Sequence, residues 1–182
     1  MSVRAKVWMR EEYDRLVASG GFQPESRVQL IRGEIVEMAP QGAGHATGIR
    51  LAQTQLERLF THGFDVRAQL PLALGRWSEP EPDVAVVRGS IHDYRERHPD
   101  GAVLVVVVAD ASLDSDRTRK QQVYAEAGIA EYWIVNLVDR MLEVYRDPQG
   151  GAYRRTRRLN PDDVVSPLAA PGNTVRVADL LS

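Results

Sequence analysis

Two carboxylates and one lysine are the residues of this chain whose types and spacing could support chemistry. Asp83 directly follows Pro82 at the start of a predicted strand, and Glu81 lies two residues earlier. Side chains of a strand alternate between its faces, so Glu81 and Asp83 share a face and could offer oxygen ligands to a divalent cation. Lys120 is one of only two lysines among 23 basic residues, and a lysine beside such an ion could stabilise developing negative charge.

Each of these residues also has a purely structural interpretation. An aspartate beside a proline can cap a turn, and Glu81, between two prolines, can simply face solvent. Lys120 follows Asp116 by four residues, which is the spacing of an ordinary ion pair on a helix surface. The residues alone therefore leave a cation site and a set of structural contacts as alternatives.

The elements that must position these residues form a predicted strand, loop, strand, helix and strand between Glu79 and Asn136. Residues 103–108 are a continuous apolar run rich in valine, which is typical of a strand buried on both faces. A helix over about 116–127 then leads to a strand over 131–135, and such a crossover normally joins parallel strands. The pattern predicts an α/β fold.

Flanking elements are predicted from glycine stops, alternating patterns and apolar stripes. They are a helix over 8–19, a β-hairpin turning at Arg32 and Gly33, a helix from about His45 to Thr61, a strand over 65–74 broken at Pro71, a short helix or loop over 90–101, strands over 142–145 and 153–159 around a turn over 147–151, and a packed apolar tail over 175–181.

Composition limits the classes of function. The chain has 182 residues, 43% hydrophobic and 26% charged, which predicts a single domain over 1–182. A net charge of −2 gives no support for general nucleic-acid binding, and the absence of cysteine excludes disulfides and thiol nucleophiles. No apolar run reaches the length of a membrane span and no signal-peptide pattern is present, so we expect a cytoplasmic protein with no membrane partner.

Motifs in the central unit resemble the Uma2 family, a branch of the restriction-endonuclease-like or PD-(D/E)XK fold. They are PEPDVAVV at 80–87, ADASLDSDR at 109–117 followed by Lys120, and YAEAGIAEYWIVN at 124–136. The resemblance implies a mixed sheet flanked by helices, with the N-terminal helix and β-hairpin as additions. It also implies a metal-dependent endonuclease that hydrolyses DNA phosphodiester bonds with Mg²⁺ or Mn²⁺.

The resemblance assigns roles to individual positions. Asp83 matches the aspartate that follows the proline, Lys120 matches the helix lysine, and His45 matches a loop histidine. Glu34 is the acidic residue that remains in the hairpin and is a candidate for a catalytic role. Glu81 is a candidate metal ligand beside Asp83.

Two acidic positions of the family pattern carry other residues. Val107 stands where the pattern LVVEVAD has its glutamate, because this chain has LVVVVAD. Gln29 opens QLIRGE where the family has ELIDGE, and Arg32 replaces the aspartate of that motif. Valine cannot bind a metal, and Ala109 on the same face offers no oxygen either. We therefore expect weak Mg²⁺ or Mn²⁺ binding and impaired catalysis.

Three functions compete on this evidence. The first is a Uma2-type protein with a damaged metal site. The second is an active Mg²⁺-dependent endonuclease with a rearranged site that uses Asp83, Lys120 and either Glu81 or Glu34. The third is a non-catalytic homodimer that binds nucleic acid or protein.

A cluster of arginines lies near the C-terminal end of the predicted sheet. It contains Arg154, Arg155, Arg157 and Arg158. Charged residues on an edge strand protect it against pairing with another chain, and arginines also contact DNA phosphates. The pattern does not decide between these roles.

Overall fold

The N-terminal part of the chain forms a helix and a β-hairpin. In the computed structural model, which describes residues 4–23 and 25–182, α1 spans Arg10–Ala18, β1 spans Val28–Ile31 and β2 spans Glu34–Glu37. Arg32 and Gly33 have φ angles of 51° and 82°. Two successive positive φ angles are typical of the tight turns that match the twist of paired strands. The predicted helix and hairpin are confirmed.

A mixed sheet forms the centre of the fold. After α2 (Ala43–Leu59), its strands are β3 (Phe64–Ala68), β4 (Val84–Arg88), β5 (Leu104–Ala109), β6 (Glu131–Asn136), β7 (Met141–Gln149) and β8 (Ala152–Leu159). The six strands lie side by side in chain order. Strands β5 and β6 are parallel and the other neighbouring pairs are antiparallel. The predicted crossover between parallel strands is therefore confirmed.

Some predicted boundaries are wrong. Strand β3 ends at Ala68, so the strand expected as far as residue 74 stops before Pro71. Strand β7 continues to Gln149, and the turn is confined to the two glycines that follow it. Asp147 lies inside β7 with a positive φ of 62°, and the pairing with β8 continues on both sides of it, from Arg146 with Arg155 to Pro148 with Tyr153. The segment after β4 forms a short 3₁₀ helix, Ile91–Tyr94.

Both faces of the sheet are covered. On one face, α2 packs with the C-terminal segment, where β9 (Val164–Val165), β10 (Val175–Arg176) and a 3₁₀ helix (Val177–Leu180) bring apolar side chains into the core. On the other face lies a helical segment made of α3 (Leu113–Ser115), a π-helical turn (Asp116–Lys120) and α4 (Gln121–Glu126). Because elements pack on both faces of the sheet, the side chains on both faces of β5 are buried, which explains its continuous apolar run. Within the described residues, no helix is long and apolar enough to cross a membrane.

Gly48 permits the close approach of α2 to the sheet. A Cβ atom at this position would lie 2.8 Å from Cγ1 of the buried Val108, a distance at which either the valine side chain or the helix must shift. We expect Gly48→Ala to lower the free energy of unfolding by about 1 kcal/mol, because overpacking outweighs the gain in helix propensity.

Gly44, on the same helix, is the matched control for this substitution. A Cβ there would meet only Ser182 Oγ, at 3.9 Å, so Gly44→Ala should leave stability unchanged or raise it. Urea unfolding of both variants measures the difference. Equal stabilities for the two variants would contradict the close packing at Gly48.

Candidate functional site

A cavity of about 300 Å³ brings most of the predicted site residues together. Its walls come from the β1–β2 hairpin, the loop before α2, the start of α2, the residue after β3, the segment before β4, and the loop and helical segment after β5. Of the residues singled out in the sequence, Gln29, His45, Glu81, Asp83 and Lys120 line it. Residues far apart in the chain therefore converge on one concave surface, which is the usual setting of a binding or catalytic site.

Asp83 lies directly before the first residue of β4 and is held by two backbone hydrogen bonds. Its Oδ2 accepts a hydrogen bond from the backbone N–H of Val108 on the neighbouring strand, at 2.7 Å. Its own carbonyl accepts one from the N–H of Gln69, at 3.1 Å. These contacts leave Oδ1 as the carboxylate oxygen that is free of backbone bonds and faces the cavity side chains.

His45 is the nearest partner of this oxygen. It lies in the first turn of α2, and its Nε2 is 3.4 Å from Asp83 Oδ1. The hydrogen bond with Asp83 raises the pKa of His45 above 6.5, although partial burial opposes the shift. Lys120 and Asp116 also act on the imidazole, in opposite senses. The pair thus joins a carboxylate to an imidazole that gains a proton more readily than a free histidine.

The pH dependence of this contact can be measured directly. Because the pKa of His45 is higher in the folded than in the unfolded protein, the contact stabilises the fold below about pH 6.5, and its contribution disappears as the pH rises through the folded value. In Asp83→Asn we expect the pKa of His45 to fall, because the largest cause of the shift is removed.

NMR titration of the histidine ring protons in metal-free buffer tests this expectation. His98, whose pKa is lowered mainly by burial, is an internal reference that should titrate unchanged. An unchanged titration of His45 in Asp83→Asn would contradict the hydrogen bond.

Val107 lies on the same face of the sheet as Asp83. The pairing of Val84 with Val106, continued by one residue, places Asp83 opposite Val107, and directly opposed residues of antiparallel strands share a face. Val107 is fully buried in the apolar cluster between the sheet and the helical segment, and it does not line the cavity itself. Hydrocarbon therefore occupies the position beside Asp83 on the neighbouring strand.

Glu81 and Gln29 are joined by one hydrogen bond at the cavity wall. The Oε1 atom of Gln29 accepts a hydrogen bond from the backbone N–H of Glu81, at 3.1 Å. The Glu81 carboxylate is paired with the Arg27 guanidinium. Gln29 thus supports the segment before β4, and Glu81 is compensated by a cation of the protein.

The structure separates Lys120 from Glu34. Lys120 lines the cavity, and its Nζ is 2.7 Å from Oδ1 of Asp116. Glu34 lies outside the cavity, where it is exposed and forms a 2.6 Å ion pair with Arg119. The predicted grouping of Glu34 with Asp83 and Lys120 is therefore not formed in this structure.

Sequence reasoning missed three acidic residues near the site. Glu37 and Asp110 line the cavity; strand alternation would turn Asp110 away from it, but β5 ends at Ala109 and the alternation ends with it. Asp116 has the spacing of a surface partner of Lys120, yet it is completely buried. Its burial could not be deduced from spacing, since it depends on how the helical segment packs on the sheet.

The oxygen donors of the cavity do not form a recognisable metal site. One oxygen of Asp83 is engaged by a backbone N–H and Glu81 is paired with Arg27. Among residues 4–23 and 25–182, no group of three or more His, Asp or Glu is arranged to hold a metal ion. This donor set does not fit Mg²⁺, which dehydrates reluctantly and requires well-placed carboxylates.

The arginine cluster lies on β8, at the edge of the sheet. Arg154, Arg155, Arg157 and Arg158 are all exposed, and none of them lines the cavity. Among the residues that the structure describes, β8 pairs only with β7, along one side. The charges therefore cover an open edge, as expected for protection against strand pairing.

Comparisons with known proteins agree with the motifs. No curated protein matches the chain. A solved structure from Anabaena variabilis, described as a putative nuclease belonging to DUF820, superposes with a TM-score of 0.75 and 16% identity, covering 93% of this chain and 95% of that one. At this identity the likeness shows the fold. The profile of the Uma2 family, described as "Putative restriction endonuclease", matches residues 10–178. The chain therefore belongs to the Uma2 family.

Proposed function

We propose that this chain is a nuclease-like Uma2 protein that binds DNA and whose metal-dependent phosphodiester cleavage is weak or lost. The observation that carries the proposal is the pairing of β4 with β5, which sets Val107 opposite Asp83. A fully buried valine cannot supply the oxygen that a divalent ion needs at that position.

Three of the groups that remain could contact a phosphate. Lys120, Arg27 and His45 bring positive charge to the cavity walls, which also carry four carboxylates, Glu37, Glu81, Asp83 and Asp110. The hydrogen bond with Asp83 favours the protonated form of His45. Lysine and arginine side chains are common partners of phosphate oxygens. Binding of a phosphodiester without efficient cleavage is consistent with this combination of charges.

A cleavage assay on the purified protein tests the proposal. With supercoiled plasmid and millimolar Mg²⁺ or Mn²⁺, we expect little or no nicking, and no difference between the wild type and Asp83→Ala. Strong nicking that disappears in Asp83→Ala would overturn the proposal. Contamination by host nucleases is controlled by purifying both proteins in parallel.

A second candidate is an active endonuclease with a rearranged site. It is favoured by the additional carboxylates of Glu37, Glu81 and Asp110 around the cavity. Release of Glu81 from Arg27 would free a ligand near Asp83. Calorimetric titration with Mg²⁺ and Mn²⁺ distinguishes the candidates, since an active site of this kind must bind metal at millimolar concentration.

DNA binding and self-association are tested separately from catalysis. Gel shifts on duplex DNA should weaken as salt is raised, because cations that contact phosphates release counterions. Analytical ultracentrifugation tests the proposed homodimer. A protein that neither binds DNA nor cleaves it would fit a module that interacts only with other proteins.

A further inference from the structure

Asp116 is a completely buried carboxylate beside the candidate site. Its side chain has 0% exposure, whereas the side chain of its partner Lys120 is 20% exposed and lines the cavity. Buried carboxylates are rare unless they are paired, because removal of an ionised group from water is costly. The contacts of the Asp116 carboxylate should therefore show why it is buried.

The two carboxylate oxygens of Asp116 have different partners. Oδ2 accepts a hydrogen bond from the hydroxyl of Ser112, at 2.6 Å. Oδ1 lies 2.7 Å from Lys120 Nζ, and in the described part of the chain no aligned hydrogen-bond donor reaches it. The serine thus fixes the orientation of the carboxylate, and the remaining oxygen forms an ion pair with the Lys120 ammonium that lies against it.

The backbone of Asp116 is fixed to the central sheet. The hydroxyl of Tyr132, on β6, donates a hydrogen bond to the carbonyl of Asp116, at 3.1 Å. Asp116 and Lys120 are the first and last residues of the π-helical turn, a local widening that is often found at functional sites. The carboxylate is therefore held relative to the same sheet that carries Asp83.

We infer that Asp116 is a positioning residue that holds the Lys120 ammonium at the cavity wall, where it serves as a fixed cation for a phosphate group. The choice of phosphate rests on the proposed function, whereas the positioning itself rests only on the contacts of Asp116. A lysine held by a buried carboxylate loses little side-chain freedom when a phosphate arrives, which favours binding.

The small number of lysines makes the inference directly measurable. The chain has only Lys6 and Lys120, so ¹³Cε-labelled lysine gives two methylene signals, assigned with Lys120→Arg. In the wild type we expect the two Hε protons of Lys120 to be inequivalent, because the side chain is fixed. In Asp116→Asn that inequivalence should be lost, while circular dichroism and the melting profile verify the fold. Averaged Hε protons of Lys120 in the wild type would overturn the inference without the use of any variant.

Lys6 provides the matched control. It forms a 2.9 Å ion pair with Glu12, in which the lysine is 55% exposed, so its Hε protons should be averaged. Glu12→Gln should affect only the Lys6 signal, and Asp116→Asn should affect only the Lys120 signal. An unchanged Lys120 signal in folded Asp116→Asn would show that Asp116 merely stabilises the helix.

Titration with inorganic phosphate separates this inference from the proposed function. We expect phosphate to shift the Lys120 signal of the wild type and to cause a smaller shift in Asp116→Asn. If Lys120 is fixed by Asp116 but does not respond to phosphate, the positioning holds and the phosphate role is wrong. An equal phosphate response in both proteins would contradict the positioning role.

Discussion

Val107→Glu is expected to make the stability of the protein depend on divalent metal. Without metal, we expect the variant to lose about 3 kcal/mol of unfolding free energy, because the new carboxylate replaces a fully buried valine. Mg²⁺ or Mn²⁺ should recover part of this loss, since the carboxylate would lie opposite Asp83 on the neighbouring strand. An ion at a hundredfold excess over its Kd stabilises by about 2.7 kcal/mol.

Thermal unfolding with and without metal measures this effect, and Val105→Glu is the matched control. Val105 is equally buried in the same apolar cluster, two residues earlier on the same strand, but it pairs with Ala85 instead of Asp83. Val105→Glu should therefore lower the free energy of unfolding, and metal should not restore it. The double variant Asp83→Asn with Val107→Glu should also show no recovery. If metal does not change the thermal unfolding of Val107→Glu, position 107 is not the position of the glutamate ligand in the family pattern.

The predictable parts of the fold are those specified by local pattern. The hairpin turn at Arg32 and Gly33 was predictable because two alternating stretches flank a glycine, which adopts positive φ at little cost. The parallel crossover into β6 was predictable because a short, doubly buried apolar strand followed by a helix has few other solutions. Together these elements bring Asp83 and Lys120 to one cavity.

The parts that could not be predicted depend on tertiary packing. The burial of Asp116 depends on the π-helical turn and on the bond from Tyr132, neither of which has a periodic signature. Glu34 resembled a site residue by its place in a motif, but its strand directs it outward to Arg119. The alternation of side chains between the two faces of β5 ends at Ala109. When it is continued to Asp110, it wrongly places this side chain away from the cavity. Site residues at the ends of elements are thus the hardest to place from sequence.

Arg146→Met is expected to destabilise the fold strongly, although the arginine side chain is partly exposed. Arg146 donates two hydrogen bonds to Oε1 of Glu131, at 2.6 and 2.8 Å, and a third to the carbonyl of Ser166. Glu131 is completely buried. Removal of the cation that pairs with this buried carboxylate costs about 3 kcal/mol, because the remaining charge stays in an environment that solvates it poorly.

Urea unfolding of a double-mutant cycle tests this expectation. Glu131 also accepts hydrogen bonds from Trp133 Nε1 at Oε1 and from the backbone N–H of Leu168 at Oε2. A glutamine side chain has one carbonyl oxygen and can keep one of these two bonds, but it carries no charge. Adding Glu131→Gln to Arg146→Met should therefore recover part of the loss, because the unpaired charge is removed. Arg155, which pairs with Arg146 across the β7–β8 ladder but is exposed, is the control, and Arg155→Met should change stability by less than about 0.5 kcal/mol. Equal losses of unfolding free energy in Arg146→Met and Arg155→Met would contradict this expectation, because they would show that the buried Glu131 charge does not depend on Arg146.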